Sequence, residues 1–258
     1  MKKKQKLSIM KVMRFICLVG IIFSLYNIAI WYFDNQKNAS IKKELNDAVS
    51  YEGRDTNNDE VEHSEEKVDI ITVDFEKLKN INDDTIAYLK VNGTDIDYVV
   101  VKGNDNSFYL KHNFYKDYNR SGWIFMDYHN KFDGTDKNVI IYGHNTLDGS
   151  MFGTLRRIIT ENWYLDKNNH IITLIGPNGP QLYQVFSTYS VKVEDYYIQT
   201  SFGSDNDFLT FANNLKARSF YNYDVSLDSD DSILTLSTCT SNGTKRMVLH
   251  AKKIKVDE

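Results

Sequence analysis

The sequence predicts a mainly β fold: a closed, eight-stranded β-barrel with short helices, preceded by one transmembrane helix. Three observations lead there. About eight β-rich runs separated by turn signals lie between residues 85 and 251. The helical segments among them are few and do not alternate with strands as a doubly wound sheet requires. A single long uncharged run stands near the N-terminus, at residues 15–33. With 258 residues, 41% of them hydrophobic and 13% aromatic, the chain can build one sizeable core beyond that run. It contains no internal repeat.

The 19 residues from 15 to 33 carry no charged side chain. As a helix they rise about 28 Å, close to the hydrocarbon thickness of a bilayer. Lys2, Lys3, Lys4, Lys6, Lys11 and Arg14 precede them without an acidic residue, so residues 1–14 read as a cytoplasmic tail and everything after Phe33 as extracellular. Trp31 and Tyr32 suit the outer interface. The competing reading is a cleaved signal peptide, but Ile30-Trp31-Tyr32-Phe33 lacks the small residues of a cleavage site, which favours a retained anchor. Without the tail, 25 basic residues face 35 acidic ones, a formal charge of −10. That balance argues against a nucleic-acid partner.

Residues 34–70 form the connection. Ile41, Leu45 and Val49 recur every four residues, which predicts a short amphipathic helix resting on the domain. Residues 52–69 are acidic, polar and almost devoid of apolar side chains, so they read as a flexible spacer. The barrel domain is expected over 71–258. Within it, 85–91 and 96–101 flank Asn92-Gly93 and predict a hairpin. A helical turn or two is expected over 104–114, strands over 122–128 and 138–143, and a short helix over 151–159. Strands 170–175 and 181–191 surround a turn containing Gly176, Pro177, Gly179 and Pro180. Ser204 and Asp207 resemble a capping box ahead of a helix inserted near 206–220. Residues 232–239 and 246–251 then alternate as two strands around Asn242-Gly243.

Chemistry gathers at this last hairpin. Cys17 lies in the predicted span, so an exported Cys239 has no intrachain partner in a compartment that usually pairs its thiols. A buried structural cysteine is the bland reading, since free Cys often packs as a small hydrophobe. An unpaired exported thiol also reads as a reactive one. Arg246, seven positions on, opens the partner strand and can direct its guanidinium at whatever the sulfur attacks. A nucleophilic cysteine needs a base or cation, and His63, His112, His129, His144, His170 and His250 are available. His144 stands out because the apolar run 139–142 ends in Gly143-His144-Asn145, a glycine turn at a strand end. A lone histidine is nonetheless often structural.

Leu236-Ser237-Thr238-Cys239 with Arg246 downstream and Tyr142-Gly143-His144-Asn145 upstream resembles the signature of sortases, the membrane-anchored cysteine transpeptidases of Gram-positive bacteria. The similarity runs over about 74–256. Gly103-Asn104-Asp105-Asn106-Ser107 with Tyr109-Leu110, Ser150-Met151-Phe152-Gly153 and the inserted helix are similar to the class B branch. The resemblance implies a sortase-like barrel in which Cys239 attacks the Thr carbonyl of a C-terminal sorting motif on a surface protein. A thioacyl enzyme forms and is resolved by a cell-wall precursor amine. It implies that His144 protonates the leaving amine and deprotonates the incoming one, and that Arg246 holds the substrate and opposes oxyanion charge. It further implies a peptide groove lined by Asn106, Leu110, Tyr142, Tyr197, Ile198 and Ser237.

Unlike some class B relatives, the chain has no carboxylate directly after the cysteine; Thr240-Ser241-Asn242 stands there. With ordinary thiol and imidazole pKa values of about 8.5 and 6.5 titrating independently, under about 1% of molecules hold thiolate and imidazolium together at neutral pH. A slow enzyme with a bell-shaped pH profile is expected. No carboxylate-dense loop suggests a calcium site, so no metal or other cofactor is expected. A secreted cysteine protease, a pilus-polymerising sortase and a non-enzymatic barrel that binds cell-wall components are the competing readings.

Overall fold

The computed structural model describes residues 2–52, 70–192, 194–239 and 245–255, and among these ten strands, four α-helices and five 3₁₀ segments form the regular structure. Eight strands close a barrel: β3 (Thr85–Val91), β4 (Asp97–Val101), β5 (Phe125–Met126), β6 (Asn138–His144), β7 (Ile171–Gly176), β8 (Gly179–Val191), β9 (Ile233–Cys239) and β10 (Arg246–Lys253). Around the barrel the order is β10-β8-β7-β3-β4-β5-β6-β9, and β9 pairs with β10 to close it. β1 (Val49–Glu52) and β2 (Ile70–Val73) form a separate two-stranded ladder.

Local signals explain the hairpins. Gly93 takes φ +69°, a value that costs glycine little, and lets β3 fold back on β4. Pro177 and Asn178 form the tip between β7 and β8, whose ladder runs to the Gly176–Gly179 pair. Two pairings are parallel and therefore not local: β4 with β5, and β6 with β9. The barrel interior is lined by Leu89, Ile141, Leu174, Leu236 and Leu249, all fully buried.

Helix α1 (Lys2–Leu45) joins the predicted span to the amphipathic segment without a break. A 3₁₀ turn at Asn46–Ala48 then leads into β1, so the expected helix stops short of Val49. Ile41, Leu45 and Ala48 pack into the main core. The side chains of α1 from Met10 to Phe33 are largely exposed, as an apolar membrane-crossing candidate requires. The predicted spacer, 52–69, lies outside the described residues except for Glu52, which ends β1. Two further helices are short, α2 (Phe75–Ile81) and α3 (Glu161–Leu165). The expected helix over 151–159 is a 3₁₀ segment at Gly153–Ile159, and the expected turns over 104–114 reduce to one at Phe108–Leu110.

The inserted helix is α4 (Asp205–Ala217), capped by Ser204, whose hydroxyl accepts from the Asp207 amide at 3.1 Å. It lies on the outside of the sheet. Phe208, Phe211 and Leu215 form a second core there with Phe186, Tyr189, Tyr197 and Val248. His250 is fully buried nearby. Its Nδ1 lies 2.9 Å from Thr235 Oγ1, which donates to Asn138 Oδ1 at 2.7 Å. The threonine hydroxyl has spent its proton, so Nδ1 donates to it and Nε2 accepts from the Tyr189 hydroxyl at 2.9 Å.

Burial pushes the His250 pKa down to about 3, with a minor contribution from the nearby Arg218. The unfolded chain protonates this group near pH 6.5, so between those values the unfolded state binds more protons. Its contribution to stability is therefore complete above pH 6.5 and is lost as pH falls, at up to about 1.4 kcal/mol per pH unit. Urea unfolding at pH 7 and pH 5 will show a larger loss for the parent than for His250→Gln. Equal losses would contradict this reading.

Candidate active site

The parallel ladder between β6 and β9 pairs Asn138 with Ile233, Tyr142 with Ser237 and, at its end, His144 with Cys239. On the other side of β9, β10 runs antiparallel with Val248 opposite Ser237. That ladder ends there; the Met247 amide still reaches the Thr238 hydroxyl, and Arg246 is the residue that opens β10 just beyond. His144 and Cys239 are therefore register neighbours although almost a hundred residues apart in sequence, and Arg246 begins the strand on the other side of β9. Residues 240–244, including the predicted Asn242-Gly243 turn, lie outside the described residues.

Gly143 belongs to β6 and is not a turn residue as expected. A Cβ there would stand 2.5 Å from Ile124 Cδ1 and 2.6 Å from the Phe152 ring, so packing demands the glycine. His144 is half-buried, and its Nε2 lies 2.8 Å from the Leu110 carbonyl oxygen. A carbonyl only accepts, so Nε2 carries the proton in this contact and Nδ1 is left as the nitrogen available for chemistry.

Arg246 donates from Nη1 to the Tyr197 hydroxyl at 3.1 Å, and that hydroxyl also bonds Ser237 Oγ at 2.9 Å. Tyr197 and Ser237 have no exposed surface. This corrects their expected place along a groove: they lie beneath the guanidinium and fix its direction. The Thr238 hydroxyl accepts from the Met247 amide at 2.9 Å, tying β9 to β10 one residue before the cysteine.

Of the remaining expected groove residues, three fall nearer the surface and Tyr142 does not. Leu110 and Ile198 are half-buried, and so is Asn106. Asn106 donates to Asp127 Oδ2 at 2.8 Å and accepts from the Tyr128 amide at 3.1 Å. Tyr142 is nearly buried, and its hydroxyl donates to the same Asp127 oxygen at 2.9 Å. Asp127 Oδ1 takes the backbone and ring N–H groups of His129 at 2.9 and 2.8 Å. Asp127 and the Leu110 carbonyl are hydrogen-bond partners of the candidate site residues that sequence reasoning misses. The first has a faint signal, an acid ending the apolar run 123–126 two residues before a histidine; a backbone oxygen has none.

A family profile described as a Sortase domain matches residues 89–254. Sortase B of Staphylococcus aureus is 38% identical over 185 residues, covering 70% of this chain and 75% of that protein. Sortase B of Listeria monocytogenes is 33% identical over 241 residues, covering 90% and 92%. Among solved structures, S. aureus sortase B in complex with substrate superposes with a TM-score of 0.66 at 38% identity, over 71% of this chain and 85% of that one. A sortase B complexed with triglycine gives 0.67 at 38% identity, over 71% and 86%. The profile match, the two relatives and the eight-stranded barrel agree: this chain belongs to the sortase family of cysteine transpeptidases that anchor surface proteins.

Proposed function

We propose that this chain is a class B type transpeptidase in which Cys239 is the nucleophile, His144 the general acid and base, and Arg246 the electrostatic clamp. The observation that supports this reading is the β6–β9 register that pairs His144 with Cys239, with Arg246 opening the strand on the other side of β9. The thiolate adds to the carbonyl of the Thr residue in a C-terminal sorting motif, and the oxyanion that develops is opposed by the Arg246 guanidinium. Collapse breaks the C–N bond after Thr as His144 gives its proton to the departing amine. A thioester remains on Cys239. An acceptor amine from a cell-wall precursor then attacks it, passes a proton to His144 and releases the thiolate, so the peptide bond lost in the first step is regained in the second. The acceptor class is supported by a related sortase B whose crystal structure holds triglycine, a peptide with a free amine.

Asn106, Leu110, Tyr142 and Ile198 form the peptide-facing side of this reading, with Asp127 fixing Asn106 and Tyr142 from below. The topology is type II: six basic residues hold the N-terminus in the cytoplasm, α1 crosses the membrane, and the barrel works outside.

Incubation of the enzyme with a sorting-motif peptide will give a hydrolysed product alone and an amide-linked product when triglycine is added, read by mass spectrometry. A product unchanged by triglycine would assign a cysteine protease instead. Cys239→Ala will form neither product. Removal of the proton-transfer group in His144→Ala lowers kcat/KM by at least about a hundredfold, and Arg246→Lys, which keeps charge but loses the planar fork, by a comparable factor.

A further inference from the structure

Helix α1 does more than leave the membrane. From Asp34 onward it lies against the barrel, and two of its asparagines are buried there: Asn35 is 8% and Asn38 1% exposed. Asparagine is a poor helix former and a buried amide is costly unless bonded, so both positions call for partners. Asn38 donates from Nδ2 to the Gly122 carbonyl at 3.1 Å and exchanges hydrogen bonds with the Asn119 amide at 3.3 and 3.0 Å. Asn119 also donates to the Asp34 carbonyl at 3.0 Å, and the Ser121 hydroxyl donates to Asn35 Oδ1 at 2.6 Å. The segment 119–122 is thus gripped by α1 along one side.

Its other side grips the turn that holds His144. The Asn119 amide donates to the Lys111 carbonyl at 2.8 Å, and the Trp123 amide donates to the Tyr109 carbonyl at 2.9 Å. The carbonyl between those two, that of Leu110, receives His144 Nε2. Gly122 sits directly against this turn at φ +57°, where an added Cβ would stand 2.3 Å from the Tyr109 oxygen and 2.8 Å from the Leu110 oxygen. Helix, segment 119–123, turn 109–111 and imidazole are stacked in that order.

We propose that Asn38 is a positioning residue for the transpeptidase reaction: by holding Gly122 it sets the Leu110 carbonyl against His144, which keeps the ring protonated on Nε2 and leaves Nδ1 for the substrate amine. The membrane-emergent helix is then a working part of the catalytic fold. The inference rests on the reading of His144 as the general acid and base.

The test uses the full chain in detergent micelles, comparing the parent with Asn38→Ala and, as a milder change, Asn38→Ser. Steady-state transpeptidation separates kcat from KM, and long-range 1H–15N spectra of the histidine rings report the His144 tautomer. Lys37→Ala, which removes only an exposed pair with Asp117 at 2.8 Å on the same helix, is the control and keeps parental kcat. A small displacement of a reacting group is enough to lower kcat by roughly tenfold or more. The Asn38 variants will show such a fall with KM changed less than about twofold, together with a shift of the His144 signals toward the Nδ1–H form. Folded Asn38 variants with parental kcat and an unchanged tautomer overturn the proposal, as does a loss of thermal stability alone. Should Asn38→Ala not fold, Asn38→Ser decides by the same readouts. If His144→Ala retains activity, the fault lies in the reading of His144 and the proposal falls with it; if that variant is inactive while the Asn38 variants are parental, only the proposal fails.

Discussion

The parallel pairing of β6 with β9 is the constraint on which the molecule depends. It joins two strands almost a hundred residues apart and fixes which residue of one stands beside which residue of the other. A slip of one residue would turn every side chain of a strand to the opposite face and separate His144 from Cys239. Buried polar groups hold the register. Asn138 accepts from the Thr235 hydroxyl at 2.7 Å and donates to the Gln199 carbonyl at 2.9 Å, while the Ile233 amide donates to the Lys137 carbonyl at 2.9 Å. A slipped ladder would leave these groups buried and unpaired, at about 1–3 kcal/mol each.

The same face of the sheet serves two purposes along its length. Toward the start of β9 it is covered by α4 and the aromatic core around Tyr189 and Tyr197, with His250 and Thr235 bonded beneath. Toward the end of β9 the cover stops, and the chain reaches Cys239 with Arg246 on the neighbouring strand. Tyr197 stands at that border: its ring belongs to the second core and its hydroxyl takes the Arg246 guanidinium. One side chain thus packs in the second core and bonds the guanidinium. Around His144 the arrangement differs, because a backbone carbonyl and a glycine-tight turn do the orienting.

Most of the barrel is legible in the sequence because its hairpins are local: Asn92-Gly93 and the segment from Gly176 to Gly179 announce turns, and β-branched runs flank them. The strand order is not legible, since the β4–β5 and β6–β9 pairings are parallel and leave no nearby turn to mark them. Cys239, His144 and Arg246 are legible as residue types at strand ends and through a family resemblance. Tyr197 and Ser237 enter the expected groove only through the family resemblance, and their burial, which depends on α4 crossing outside them, leaves no local sign in the sequence. Asn38 is hidden in the sequence because the apolar spacing of Ile41 and Leu45 marks the buried stripe of α1, and an asparagine at its edge reads as solvent-facing until its partners at 119 and 122 are known.

The proposed mechanism requires Cys239, His144 and Arg246 to converge on one reacting carbonyl. A crystal structure of the Cys239 adduct with a peptide whose Thr carbonyl is replaced by a thiol-reactive group decides whether they do. The His144 ring and the Arg246 guanidinium are expected within hydrogen-bond reach of the adduct, on the same face of the β6–β9–β10 sheet. An adduct pointing into the barrel, or one with either side chain on the opposite face, would contradict it.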